Sequence, residues 1–332
     1  MVDNPALVEA RLRSLARVIA GVELEEIDTS ADAGYGEGRG FHVVEDDDFR
    51  AVGRALTWAR GRKLDRVTIL APVGDVAADL ARRAELVSRQ GPIEGVTVEV
   101  MTYDGTTVHP AVARPCPAPP VLSPDHWALA GVLTEAGASV VDDHGVLIGE
   151  VVGLEVARVV DSDEGPVIDV GVGQADRELN QMVHGKLDTD SALRRVIVAV
   201  AQLRGSHPHH PLTRLARERW LRAILVADPN IVDAAELSPL VPLRPRHGLL
   251  KAAPAACAGR LLSGQPVVVV TAVGVDVDLV PEAVDYRQCW NPEAELVLAM
   301  PERDVALNAA MIASVTGIRV QAMNGPWELA SG

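Results

Sequence analysis

Acidic side chains recur in the middle of this sequence inside segments otherwise made of Val, Leu and Ile. Glu135 closes a helical run, Asp142 and Asp143 fall in a turn, and Glu150 and Glu155 lie in GVLIGEVVGLEVARVV. Asp169 lies in PVIDVGVG. A carboxylate among aliphatic residues is costly to bury without a partner. If the strands carrying Glu155 and Asp169 are neighbours, these two acids and Glu135 can converge on one divalent cation. Oxygen donors of this kind suit Mg²⁺ or Mn²⁺, and such an ion activates water and stabilises charge at a phosphodiester. The plainer alternative is a half-exposed strand, polar at alternate positions, with Glu155 and Arg158 paired to neighbouring charges.

The order helix, hairpin, strand, helix over residues 124–205 resembles the PD-(D/E)XK nuclease core. The resemblance implies that Glu155 is the acid of the second strand, Asp169 that of the third, and Glu135 the helix acid. Glu155 and Asp169 would then be the metal ligands of a Mg²⁺- or Mn²⁺-dependent phosphodiester hydrolase. The lysine of the family motif falls at Gly171, and Gln174 is the nearest polar substitute. The likeness covers about a quarter of the chain and rests on element order and two acids, a basis for fold more than for activity.

A second candidate is the segment LRPRHGLLK, where Arg244, Arg246, His247 and Lys251 precede an apolar run. Cationic donors beside a helix N-terminus suit a phosphate. Arg214, Arg217 and Arg222 flank Trp220 and suggest a basic helical face. The formal net charge is −15, yet residues 186–262 carry twelve Lys or Arg against six Asp or Glu, 12 − 6 = +6. That region is where a nucleic acid or a phosphate-bearing small molecule would bind, steered by local field. Few aromatics are available to stack bases. His207, His209 and His210 in SHPHHP read as a solvated loop rather than a zinc site, and Asp176 and Glu178 as acids at a helix start. Neither GxSxG nor a glycine-rich phosphate fingerprint occurs. Cys116, Cys257 and Cys289 lie far apart with no CxxC pair, which argues against a disulfide framework or a four-cysteine zinc site.

These residues need elements to hold them. At 332 residues the chain predicts more than one lobe. Residues 1–108 read as an α/β lobe with helices near 5–20, 47–61 and 75–89 and strands at 67–71 and 96–102. Its stretch TSADAGYGEGRG reads as an acidic, glycine-rich loop. Residues 109–123 are a proline-rich linker. Residues 124–264 read as a mixed lobe with a strand run over 146–160, long for one strand and with a bend point at Gly153, a helical stretch over 174–227 broken at GSHPHHP, and a short helix near 249–262. Residues 265–332 read as β, α, β, α, β. VTILAPVGD at 67–75 echoes VVVTAVGVD at 268–276; the echo fits either the common form of a strand-to-helix turn or a duplicated unit whose two copies pair in one sheet across the long insertion. The fold class is thus α/β, layered and multi-lobed, with βαβ units at both ends and a mixed central lobe. No run approaches the roughly 20 apolar residues of a membrane span, and the start lacks a signal peptide's apolar core. The expected compartment is the cytoplasm. Arginine outnumbers lysine 28 to 3, a composition of high-GC, actinobacterial type. Three functions fit: a nuclease-like or nucleic-acid-processing protein, active or degenerate; a non-catalytic regulator binding a nucleotide or other phosphate; and a protein-interaction scaffold.

Overall fold

The computed structural model describes residues 5–327 except 46–47, 90–94, 105–106, 175, 179–188, 207–209, 246–247, 250–252 and 314–316. Its strands form α/β layers around three sheets, of six, four and five strands, each ordered as in the chain. The chain divides into two compact units. The first takes Met1–Cys116, Asp276–Cys289 and Asn308–Gly317; the second takes Pro117–Val275, Trp290–Leu307 and Ile318–Gly332.

The first unit opens with α1 (Pro5–Ala20), then β1 (Glu26–Asp28), β2 (Ala33–Gly36) and β3 (Arg39–Val43). It continues through α2 (Ala51–Gly61), β4 (Arg66–Pro72), α3 (Asp75–Ser88), β5 (Thr97–Tyr103) and β6 (Val108–Pro110). β1 to β3 are antiparallel, β3 to β5 parallel, and β6 returns antiparallel. α1 places Val8, Leu12 and Ala16, four residues apart and so on one face, in one core with Phe41, Leu70 and Tyr103. The glycine-rich stretch is not a loop. It supplies β2 and the start of β3, whose small residues let the hairpin lie close to its neighbours.

His42 on β3 is buried. Burial first, and Arg54 second, push its imidazole down to about 4. An unfolded histidine takes its proton near pH 6.5, so this side chain contributes stability above that pH and loses it as pH falls toward 4. Compared with a His42→Asn chain, the wild type should lose about 3 kcal/mol of relative stability between pH 6.5 and 4. Urea melts of both chains across that range measure it.

The second unit begins with α4 (Pro124–Trp127), where Ser123 Oγ accepts from the Asp125 amide and caps the helix start. Then come α5 (Ala130–Glu135), β7 (Ser139–Asp142), β8 (Leu147–Val151), β9 (Leu154–Ser162), β10 (Gly165–Val170) and α6 (Thr189–Ser206). The expected long strand over 146–160 is in fact the hairpin β8–β9. Its turn residues Val152 and Gly153 both have positive φ, 49° and 73°, the pattern of a two-residue turn matched to strand twist.

The five-stranded sheet starts at Ala234, upstream of residue 265. α7 (Arg217–Ala227) packs on β11 (Ala234–Pro239), β12 (Ala255–Leu261) and β13 (Pro266–Thr271); β14 (Glu295–Pro301) and β15 (Ile318–Met323) complete the sheet. The helix expected near 249–262 is thus largely β12, paired on both edges. Its run AACAGRL has helix-tolerant residues, but tertiary pairing overrides that weak preference.

Both end sheets follow one plan. Each has a helix, two antiparallel pairings, then two parallel pairings joined through helices. In the second copy those helices are α8 (Leu279–Trp290) and α9 (Glu302–Ala313). The duplicated plan is present, but the copies do not share a sheet: β4 and β13 belong to different ones. By topology β4 matches β14, one strand beyond the echo in the sequence.

Candidate functional site

The acids of the central strands do come together. Glu150 on β8 stands directly opposite Glu155 on β9, and Asp169 on β10 opposite Arg158 on β9. Glu150 and Glu155 are both 3% exposed. Directly opposed carboxylates repel, so each needs cationic cover.

Arginines provide it. Arg158 chelates Glu155, Nε to Oε1 at 2.7 Å and Nη2 to Oε2 at 3.0 Å. Arg177 donates to Glu155 Oε1 at 2.9 Å and lies 3.4 Å from Asp169 Oδ2, bridging the two acids. From α7, Arg219 donates to Glu150 at 3.1 Å and to Asp143 at 2.6 Å, and Arg222 donates to the other Glu150 oxygen. Burial opposes the charge of Arg219, but Glu150 and Asp143 outweigh it and hold the guanidinium above its ordinary value. Four acids thus meet four arginines. Planar guanidinium forks are well suited to such paired contacts.

Two glycines permit this packing. A Cβ on Gly153 would come within 2.3 Å of the Arg219 backbone, so the β8–β9 turn lets α7 approach closely. Gly171 has φ of 148°, and a Cβ there would lie 2.8 Å from the Arg177 amide. The position to which the nuclease resemblance assigns a lysine is therefore filled by the backbone that carries Arg177.

The other expected site residues lie elsewhere. Glu135 is exposed at the end of α5, where its backbone carbonyl accepts from Arg194. Gln174 is exposed and donates to Glu178 four residues on, not to the buried acids. Asp142 accepts from the Gly145 amide within its turn. Arg244 is half-buried, while Arg246, His247 and Lys251 lie outside the described residues, as do His184, His207 and His209. His210 caps a short 3-10 turn through Nδ1, and His126 meets Asp161 at 2.9 Å. Of the expected basic helical face, Arg214 is exposed, Arg217 half-buried and Arg222 buried. Arg204, Arg219 and Arg222 are each 2% exposed, and Arg217 stacks over Trp327. Arg204 lies over the Trp220 ring and donates to backbone carbonyls of Val152 and Leu212; burial lowers it to about 10. Among the described residues no helix is long and apolar enough to cross a membrane.

The first unit holds a metal-donor cluster that spacing did not reveal. Cys116, Asp285 and Cys289 place one donor atom each within 4.8 Å of one another. The two cysteines are joined as a disulfide across 173 residues, with Cα atoms 5.3 Å apart. This corrects the expectation drawn from their separation: the fold brings the pair together. Cys257 is the free, buried cysteine, and burial pushes its thiol up to about 12.

Around the disulfide lies a second buried ionic network. Arg82 grips both oxygens of Asp285 at 2.8 and 3.1 Å and Asp79 at 2.6 Å. Arg83, 1% exposed, joins Asp285 and Asp278 at 3.0 Å each. Arg114 pairs with Asp79 at 2.7 Å. Burial works against the Asp285 charge, but Arg82 and Arg83 hold its carboxyl below the usual range. Burial pushes Asp278 up to about 6 against the pull of Arg83. Among known proteins, no family model, curated sequence or solved structure matches this chain.

Proposed function

We propose that this chain is a degenerate nuclease-like protein, a non-catalytic regulator in which the positions expected to hold Mg²⁺ or Mn²⁺ are occupied by arginine. The observation that carries the reading is Arg177, placed between Glu155 and Asp169 with a guanidinium where a shared cation would sit. Arg158 takes both Glu155 oxygens in addition. A dication entering there would have to displace a chelating and a bridging arginine and meet their positive charge. Glu135 is too exposed and remote in its contacts to support a third ligand position.

The test uses Mn²⁺ on the full chain. The wild type should neither cleave single- or double-stranded DNA or RNA with Mn²⁺ nor melt at a higher temperature in millimolar Mn²⁺. Arg158→Met/Arg177→Met should melt lower than wild type and gain a Mn²⁺-dependent rise in melting temperature, because the freed carboxylates then bind the ion and binding to the folded state stabilises it. Mn²⁺-dependent cleavage by the wild type that disappears in Asp169→Asn would overturn the reading in favour of an active hydrolase.

A further inference from the structure

We propose that Cys116, Cys289 and Asp285 form a thiol-gated site for a soft divalent cation of the zinc type, closed as the disulfide and opened by a dithiol reductant. The proposal stands apart from the reading of the second unit, since every residue it uses belongs to the first.

Three features carry it. The first is the donor set: two sulfurs and a carboxylate oxygen within 4.8 Å of one another, which suits zinc with a water completing four-coordination. Cys289 lies one helical turn after Asp285 on α8, its Sγ 3.8 Å from Asp285 Oδ1. Oδ1 accepts from Arg82 Nε, and a carboxylate oxygen with two lone pairs keeps one for an ion.

The second is a clasp that does not depend on the sulfur bond. Arg82 holds Asp285 on the arm bearing Cys289. Its Nη1 also donates to the backbone carbonyls of Arg114 and Pro115, at 3.3 and 3.4 Å, on the arm bearing Cys116. Arg114 is anchored in turn to Asp79. When the disulfide opens, both arms remain tied to one guanidinium, so the thiols stay close. Both cysteines are half-buried, within reach of solvent.

The third is charge. Asp79, Asp278 and Asp285 are matched by Arg82, Arg83 and Arg114 in direct ion pairs. Two new thiolates add two negative charges beside Asp285, and a divalent cation neutralises them.

The gating step balances as thiol–disulfide exchange. A dithiol attacks the Cys116–Cys289 bond, two electrons pass to the protein sulfurs, and the reductant leaves as its own disulfide. Two thiols form. On binding the cation, each gives its proton to solvent and its sulfur lone pair to the metal.

The experiment compares the oxidised and dithiol-reduced full chain, freed of reductant under anaerobic conditions. Zn²⁺ is titrated in competition with a chromophoric chelator, and Co²⁺ is followed by thiolate-to-metal charge-transfer absorption. The reduced chain should take one ion and show that absorption; the oxidised chain should do neither. A Cys116→Ser/Cys289→Ser chain should lose the uptake, and Cys257→Ala should keep it. The comparison of the two redox states needs no variant, so it stands even where the double-serine chain fails to fold. Equal uptake by oxidised and reduced chains, or no uptake by the reduced chain, would overturn the proposal.

Discussion

Replacing Arg83 with methionine should destabilise the first unit by about 3–5 kcal/mol at pH 8, the range for removing one partner of a buried ion pair. Methionine fills much of the same volume, so the loss reports charge more than packing. Arg83 is buried and donates to Asp278, Asp285 and the Phe49 carbonyl. Asp285 keeps Arg82. Asp278 keeps the Gly53 amide and a more distant Arg50, which is thin cover for a charge with almost no solvent. Its carboxyl is already pushed up to about 6 by burial, and losing Arg83 moves it higher. A carboxyl whose folded value exceeds its unfolded value favours folding at low pH and penalises it as pH rises through the folded value. The deficit of Arg83→Met should therefore shrink at pH 5. Urea unfolding at both pH values measures it; a deficit unchanged by pH would assign the loss to packing instead.

The second large effect belongs to Glu150. Glu150→Leu should cost the second unit about 3–5 kcal/mol by leaving Arg219 and Arg222 buried beside each other. Arg219 keeps Asp143; Arg222 loses the partner its side chain reaches across the fold to meet. The informative comparison is the double substitution Glu150→Leu/Arg222→Met. An apolar pair of similar volume replaces an ion pair at little net cost, so at least half of the single-variant loss should return. A double-mutant cycle read by thermal or urea melting gives the coupling directly. Simple addition of the two losses would mean that the arginines are not held through Glu150.

Much of this architecture was legible from periodicity. The helix near 75–89 and the strands at 67–71 and 96–102 fall within a residue or two of α3, β4 and β5. The acids were legible too, because Glu150, Glu155 and Asp169 interrupt runs of Val and Ile. Their partners were not. Arg219 and Arg222 lie on a helix whose arginines look like a solvated face, since the sequence does not say which side of α7 meets Glu150. The available signal was reciprocal: buried acids require buried cations, and α7 carries a run of arginines flanking Trp220. AACAGRL misled because small residues suit a helix and a tightly flanked strand alike. The disulfide left no local trace, its halves being 173 residues apart. Gly171 was visible as a missing lysine, but only packing shows that Arg177 needs that space.

The discontinuity of the first unit also sets the order in which the protein can be finished during synthesis. Its opening segment ends at Cys116, and the segment carrying Asp278, Asp285 and Cys289 follows only after Val275. Roughly 160 residues of the second unit emerge in between, which at ribosomal speeds takes on the order of 10–30 s. During that interval the nascent amino-terminal segment carries Arg82 and Arg83 without Asp285, and Cys116 without Cys289. A ribosome-bound chain halted at the proline-rich linker is therefore an incomplete domain in which Arg82 has Asp79 but Arg83 has neither of its carboxylates, a state suited to chaperone care and open to thiol chemistry. Completion waits for α8 and then for the last segment of the unit, Asn308–Gly317.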